Sequence, residues 1–366
     1  MESIEQLLGI APTSQLSCEP VTTQDLSFSF LFFSDVRNDI SDATKYAFMR
    51  DITIFGDQEG FEAIYIPERH FYEFGSIYAN SALVAAYLIP QTKRIRFRTA
   101  GITLPLHHPA EVVEWWAMND VLSGGRVDLG FGSGWNKADF ILAPGNYEAR
   151  RKICGDRISI VQKLWRGEAV EFEGPDGEKV STKVFPKPVQ KEIKVWLLIS
   201  QSDEAFSYAG KQGYNIFTML YGIDLAALAK KIALYRQARK EAGYDEGVVT
   251  LMLHTFIYKS YETVQQHVEQ PFKNYINSSL QAQTKDIPNQ APFTETEKNK
   301  MLDYAYQRYF KTGGLFGTVD DAKEMIEKVI TAGVNEVACL LDFGVDYDVV
   351  MDSLPYLKDL IGNYRK

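Results

Sequence analysis

Residues 124–136 read GGRVDLGFGSGWN: a short apolar strand runs into Gly130, Gly132 and Gly134, with Trp135 between the last glycine and Asn136. Glycines after a strand can cradle phosphate. A dinucleotide fingerprint would place Gly-x-Gly-x-x-Gly on the first strand of an open sheet. Here the third position is Trp135, and three strand candidates precede this one. The first strand-to-helix turn, FFSDVRND, has no glycine. The other reading is of small residues at a strand end, where a flat ligand can lie against backbone. Gly130 and Gly132 could equally do no more than relieve crowding inside a barrel.

Outward from this stretch, strand and helix patterns alternate. The strand candidates are LSFSFLFF (26–33), AIYIPE (63–68), IRFRTAGITLP (95–105), RVDLGFG (126–132), VWLLIS (195–200), YNIFTML (214–220), VVTLMLHTFIY (248–258) and EVACLLDFG (336–344). Helical spacing fills the intervals, as in KYAFMRDITIFGDQEG (45–60) and PAEVVEWWAMNDVLSGG (109–125). Strands alternating with helices imply a parallel sheet, and eight such units point to an α/β (β/α)₈ TIM barrel. An open doubly wound sheet is the alternative. Residues 1–24 read as an N-terminal arm and 25–366 as a single barrel domain. Insertions are expected after strand 4 (168–194) and after strand 7 (262–315), and stretches of that length are usually lids or binding loops.

Composition narrows the function. Among 366 residues, 45% are hydrophobic and 24% charged, which suits a globular chain with an ample core. The net charge of −9 argues against a general nucleic-acid binder. Cys18, Cys154 and Cys339 lie far apart, with no metal-like spacing, and fit a reducing, cytoplasmic setting. No apolar run reaches membrane-spanning length, and the N-terminus makes a poor signal peptide. The five histidines show no metal-binding spacing, so no metal is expected. No Ser–His–Asp pattern or P-loop is evident.

Several segments resemble one family. ERHFYEFG, TAGITLPLHHPAEVVE, LSGGRVDLGFGSGWNKADF and VWLLISQSDEAFSYAGKQG look like the bacterial luciferase-like flavin monooxygenases, from about Leu26 to the C-terminus. VTLMLHTFI, RYFKTGGLFGT and GVNEVACLLDFG resemble its MupA-like branch, associated with non-ribosomal peptide and polyketide biosynthesis. The resemblance implies a luciferase-like barrel holding FMN, reduced by a separate flavin reductase, with O₂ as co-substrate. The product would be a mono-oxygenated small molecule, amino-acid- or polyketide-derived, free or bound to a carrier protein. The family's usual homodimer uses the helices after strands two and three, NSALVAAYLIP and AEVVEWWAMNDVL. Two alternatives stay open: a deazaflavin-dependent hydride-transfer enzyme, and a flavin-binding partner protein without turnover.

Site residues follow from the same resemblance. His70 is the candidate proton-handling group, though a half-buried structural histidine is the plain alternative. Arg69 stands where bacterial luciferase has its catalytic histidine. Gly132 and Ser133 stand where luciferase has its reactive cysteine and a phosphate-binding arginine. The segment at 99–101 matches one with a non-prolyl cis peptide beneath the flavin ring, assigned to Ala100–Gly101. Gln201 and Ser202 match the phosphate site, and Ser202 also suits a helix N-cap. Trp135 is a pocket-wall candidate, whereas Trp115 and Trp116 suit packing or a dimer surface. Glu68 could orient Arg69 or His70. His107 and His108 stand before Pro109 at a helix start, with His108 taken as the substrate-pocket candidate. Met219, Tyr221 and His254 complete the expected substrate pocket.

Overall fold

In a strand buried on both faces most residues can be apolar, and the strand candidates are apolar apart from a few buried polar positions such as Ser29, Arg98, Asp128 and Glu336. The computed structural model describes residues 26–33, 37–72, 75, 77–284 and 294–364; the expected N-terminal arm lies outside them. All eight strand candidates form one parallel barrel: β1 (Ser27–Leu31), β2 (Ala63–Ile66), β3 (Arg96–Thr99), β5 (Val127–Gly132), β8 (Val195–Leu198), β9 (Asn215–Met219), β10 (Val249–Ile257) and β12 (Glu336–Leu340). The sheet closes because β12 pairs with both β1 and β10, while β9 pairs with both β8 and β10.

Helices follow the strands and cover the barrel: α1 (Asp42–Glu59), α2 (Ser81–Leu88), α3 (Pro109–Ser123), α4 (Arg150–Trp165), α5 (Asp203–Lys211) and α6 (Leu225–Glu241). Their ends carry local signals. Asn80 caps α2 by accepting from the Ala82 and Leu83 amides, and Asp224 caps α6. Gly60 and Gly124 close α1 and α3 in the left-handed conformation.

Three departures from the expected pattern matter. First, the 95–105 stretch breaks at Ala100–Gly101 into β3 and the short β4 (Ile102–Thr103). The cis peptide assigned there is not found: among the described residues the cis bond is Phe185–Pro186. Gly101 instead makes the turn with φ 125°, a conformation open to glycine, and an added Cβ would meet Leu198 Cδ2 at 2.6 Å. Second, 168–194 contains an antiparallel hairpin, β6 (Val170–Glu173) and β7 (Lys179–Thr182). Third, 262–315 holds most of α7 (Tyr261–Thr284), all of α8 (Glu295–Thr312) and the start of β11 (Gly314–Gly317). The polar centre of that stretch, 285–293, lies outside the described residues. β10 pairs with β12 through His254 and from His254 onward with β11. Helices α9 (Val319–Thr331) and α10 (Tyr347–Gly362) complete the chain.

The lower, N-terminal half of the barrel encloses a charged cluster. Arg98 donates to Asp128 at 2.9 Å and to both Glu336 oxygens at 2.8 and 2.9 Å. Arg96 completes the balance of charge with a bidentate contact to Asp128. Arg98, Asp128 and Glu336 are all buried. Removing one member strands its partners without water. Arg98→Met should therefore cost about 3–5 kcal/mol, read by urea unfolding. A cost below about 1 kcal/mol would show that the cluster is dispensable.

Candidate active site

β2 delivers Glu68, Arg69 and His70 to the C-terminal face of the barrel, where sites on this architecture form. Glu68 is almost fully buried and must find donors. Its Oε1 accepts from His70 Nε2 at 3.1 Å and from His107 Nε2 at 3.0 Å. His107 arrives from the turn after β4, and Arg157 of α4 grips that turn by donating to the Leu104, Pro105 and His107 carbonyls. Burial opposes charge on both Glu68 and His107. The hydrogen bonds and opposite charges of this contact outweigh it, lowering the Glu68 pKa and raising that of His107. Immediately after His70, Phe71 takes φ 60°, a strained conformation for a bulky residue and one that clusters at functional sites.

Arg69 turns its guanidinium over the Phe33 ring, 4.1 Å from the centroid, and lies 5.7 Å from that of Trp135. Burial lowers its pKa. Opposite stands Asp139, whose carboxyl is pushed up to about 6 by burial. Asn136 donates to Asp139 and accepts from the Tyr72 hydroxyl. The β5 end supplies the floor. A Cβ at Gly130 would strike the Thr99 carbonyl at 2.2 Å, so Gly130 permits close strand packing; at Gly132 it would meet nothing within 4 Å. Gly132 and Ser133 are partly exposed, and Trp135 and Phe71 are exposed.

Across the barrel mouth, Gln201 precedes α5 and Ser202 is its N-cap. Ser202 Oγ accepts from the Ala205 amide and donates to Glu204. Gln201 donates to the Tyr221 carbonyl, tying the β8 and β9 ends together, and Lys231 donates to the Gln201 carbonyl and to Asp203. Met219 ends β9 and is half-buried. On β10, His254 sits in an aromatic box: Phe272 and Tyr275 of α7, Tyr309 of α8 and Phe343 lie 4.8–6.2 Å away, all edge-on. Its Nε2 is buried and has no hydrogen-bond partner among the described residues. Burial pulls its pKa down to about 3, so the ring is neutral.

The structure thus brings together Glu68, Arg69 and His70, with Ala100, Gly101, Gly132, Ser133 and Trp135 on neighbouring strand ends. It separates the two consecutive histidines. His108 is an exposed N-cap of α3, its ring 4.6 Å from Phe172 of β6, and His107 is the one that reaches Glu68. The Glu68, His70 and His107 ligand atoms lie within 4.8 Å of one another, a spacing a metal could span. Chain spacing did not reveal this cluster because Glu68 and His107 are 39 residues apart. Asp139, Asn136 and Tyr275 were also missed. KADF carried no signal beyond the family match, and Tyr275 lies within an apolar helical stripe.

His254 generates a pH prediction. A folded pKa of about 3 against 6.5 ordinarily means that the fold favours the neutral ring. That contribution is present above pH 6.5 and lost as pH falls toward 3. His254→Phe removes the titration and the orphaned nitrogen. Urea unfolding should find the variant gaining on the parent below pH 6.5, by roughly 2 kcal/mol at pH 5 relative to pH 8. Parallel stability curves over that range would refute it.

Comparisons with known proteins bear on the fold and the family. The alkanal monooxygenase alpha chain of Photobacterium leiognathi is 28% identical over 204 residues; the match spans 56% of this chain and 56% of that relative. The oxygenase component of a flavin-dependent trigonelline monooxygenase from Acinetobacter baylyi is 23% identical, covering 83% of this chain and 85% of its own. The solved monooxygenase RslO1 from Streptomyces bottropensis shares the fold at a TM-score of 0.77 and 18% identity, covering 93% of this chain and 100% of its own. The oxygenating constituent of a Pseudomonas putida 3,6-diketocamphane monooxygenase, solved with FMN, does so at 0.74 and 18% identity, covering 93% and 99%. Residues 26–336 match the family described as luciferase-like monooxygenase, and the chain belongs to that family.

Proposed function

We propose that this chain is the oxygenase of a two-component, reduced-FMN-dependent monooxygenase. It would use dioxygen to place one oxygen atom in a small amino-acid- or polyketide-derived substrate, free or tethered to a carrier protein. The observation that carries the reading is a histidine pair sharing one carboxylate beside a strand end left open at Gly132. Membership of a monooxygenase family, an FMN-bound relative in fold and a relative named as an oxygenase component support it.

The residues fit such a cofactor. Gly132 leaves room for a flat ring against backbone. The N-terminus of α5, where first-turn amides have no helical carbonyl partner, would suit a phosphate. Asp203 and Glu204 in that first turn oppose an anion, and Lys231 offsets part of their charge. The proposed phosphate site sits at a single helix end, and among the described residues no second nucleotide-binding unit is recognised, which favours FMN over FAD. Reduced FMN, when bound, would supply the electrons that activate dioxygen. Arg69 favours negative charge nearby, and Phe71 and Trp135 form an apolar rim that would limit water. His70 would take and return a proton. His254, neutral and unpartnered, would orient substrate by a hydrogen bond. The three segments that resemble the natural-product branch meet at His254: β10, β11 with the preceding turn, and β12. Helices α7 and α8, which form the aromatic box, would cover this side of the pocket.

His70→Ala should leave reduced-FMN binding intact while product formation falls by roughly 10²–10⁴. Anaerobic titration and product analysis measure the two separately. Tighter binding of reduced FAD, or of reduced deazaflavin, would overturn the cofactor assignment. Substrate oxidation at the parental rate would overturn the role of His70. Flavin binding with no oxygen consumption would favour a partner protein.

The proposed homodimer has a surface to match. Leu83 and Tyr87 on α2, and Met118, Val121 and Leu122 on α3, are exposed on two helices that pack side by side. Grouped apolar side chains of this kind suit an interface. Sedimentation should show a dimer at micromolar concentration, and the double variant Leu83→Glu, Leu122→Glu should run as a monomer. A parent that sediments as a monomer would refute it.

A further inference from the structure

The cluster around Glu68 has the composition and spacing of a metal site. The five histidines have no metal-like spacing along the chain, but the fold sets two of them on one carboxylate. Nitrogen and oxygen ligands lie about 2.0–2.2 Å from a zinc ion, which places neighbouring ligand atoms about 3–3.5 Å apart. Glu68 Oε1 stands 3.1 Å from His70 Nε2 and 3.0 Å from His107 Nε2, and all three atoms lie within 4.8 Å of one another. A small turn of the rings closes the triangle around an ion. The barrel itself holds the ligands. Glu68 and His70 follow β2 two residues apart, and Arg157 fixes the turn that carries His107 by donating to three of its carbonyls. Each ring keeps an edge toward solvent, 11% exposed for His70 and 13% for His107, so an ion can enter and retain a water ligand. The surrounding charge suits a cation: Glu111 and Asp139 stand beside the cluster against Arg69 and Arg157, and Glu68 tips the balance to negative.

We propose that Glu68, His70 and His107 bind a divalent transition cation of the zinc class, and that the bound ion takes His70 out of proton transfer. Two imidazoles and one carboxylate suit zinc and its neighbours, whereas magnesium and calcium take oxygen ligands. Binding replaces hydrogen bonds by coordination, and each Nε2 turns its lone pair to the ion. A neutral ring shifts its proton from Nε2 to Nδ1, and a charged ring releases the Nε2 proton to solvent. The divalent charge then answers the buried carboxylate in place of the lost donors. A metal-bound His70 has both nitrogens occupied and no lone pair left to accept a proton. The ion therefore acts as a reversible off-switch on oxygenation. That consequence, though not the binding, rests on His70 as the proton-handling group.

The test is calorimetric titration of the full-length chain with zinc chloride, without added flavin, and with magnesium chloride as the contrast. One zinc ion per chain should bind, and magnesium should not. His107→Ala removes a ligand and should weaken zinc binding by more than about 100-fold, beyond the usual cost of losing a group that only orients a ligand. His108→Asn alters the neighbouring histidine, keeps a helix cap, and should bind zinc as the parent does. Carbethoxylation read by mass spectrometry locates the ion in the parent itself: zinc should protect His70 and His107 and leave His108 reactive. Should His107→Ala not fold by circular dichroism, this protection decides alone. No zinc binding, parental affinity in His107→Ala, or unprotected His70 and His107 would overturn the site. Product formation with reduced FMN should fall in step with zinc occupancy and return when a chelator is added. If zinc binds at the cluster and product formation is undiminished, the site stands and the proton-handling role of His70 falls.

Discussion

Arg98 is the residue on which the barrel closes. Its guanidinium bridges Asp128 on β5 and Glu336 on β12, with its centre 3.8 Å from the Trp196 ring centroid on β8. Glu336 also accepts from Ser29 on β1 and Thr250 on β10, while Tyr65 on β2 bonds to Arg98 and packs on Phe217 of β9. With Arg98 on β3, seven barrel strands meet in one polar cluster, and the eighth, β9, packs against it through Phe217. Apolar side chains alone would pack a barrel interior without a unique register. Charges that must be paired in the absence of water accept few arrangements. The cluster occupies the N-terminal half of the barrel, which leaves the opposite end free for chemistry.

At that opposite end a second buried acid organises the site. Glu68 gathers His70 and His107 from separate strand ends, and Arg157 holds the turn that brings His107 in. The strained Phe71 follows directly. On the far wall, burial leaves His254 neutral within aromatic rings. The two histidine environments differ in physical kind: one is charged and shared, the other dry and uncharged. In the proposed function, the first would move protons and the second would hold substrate.

The strand pattern was legible because burial on both faces leaves mostly apolar runs, even where a charge such as Arg98 or Asp128 interrupts them, and short polar turns punctuate them. Gly101 and Gly132 were legible as special positions, since glycine at a strand end signals a turn or a close approach. The manner of the turn at Ala100–Gly101 was not. Positive φ at glycine and a cis peptide both suit small residues, and the structure uses the first. The choice between His107 and His108 was likewise invisible. Consecutive residues point in different directions, and which one faces Glu68 depends on the path of the turn that Arg157 holds. The strands β6 and β7 escaped because they are mostly exposed, so no apolar run marks them, and β11 because its two apolar residues stand between glycines.

The amino-acid sequence by itself determined the alternation of strand and helix, the glycine-lined strand ends and the membership of the family, because local periodicity and short motifs are properties of neighbouring residues. Tertiary structure alone decided which distant charges meet. Arg98 and Glu336 are 238 residues apart, and Glu68 and His107 are 39 apart. Their partnership exists only once the barrel has closed, because only then does the loss of water make an unpaired charge too costly to leave alone.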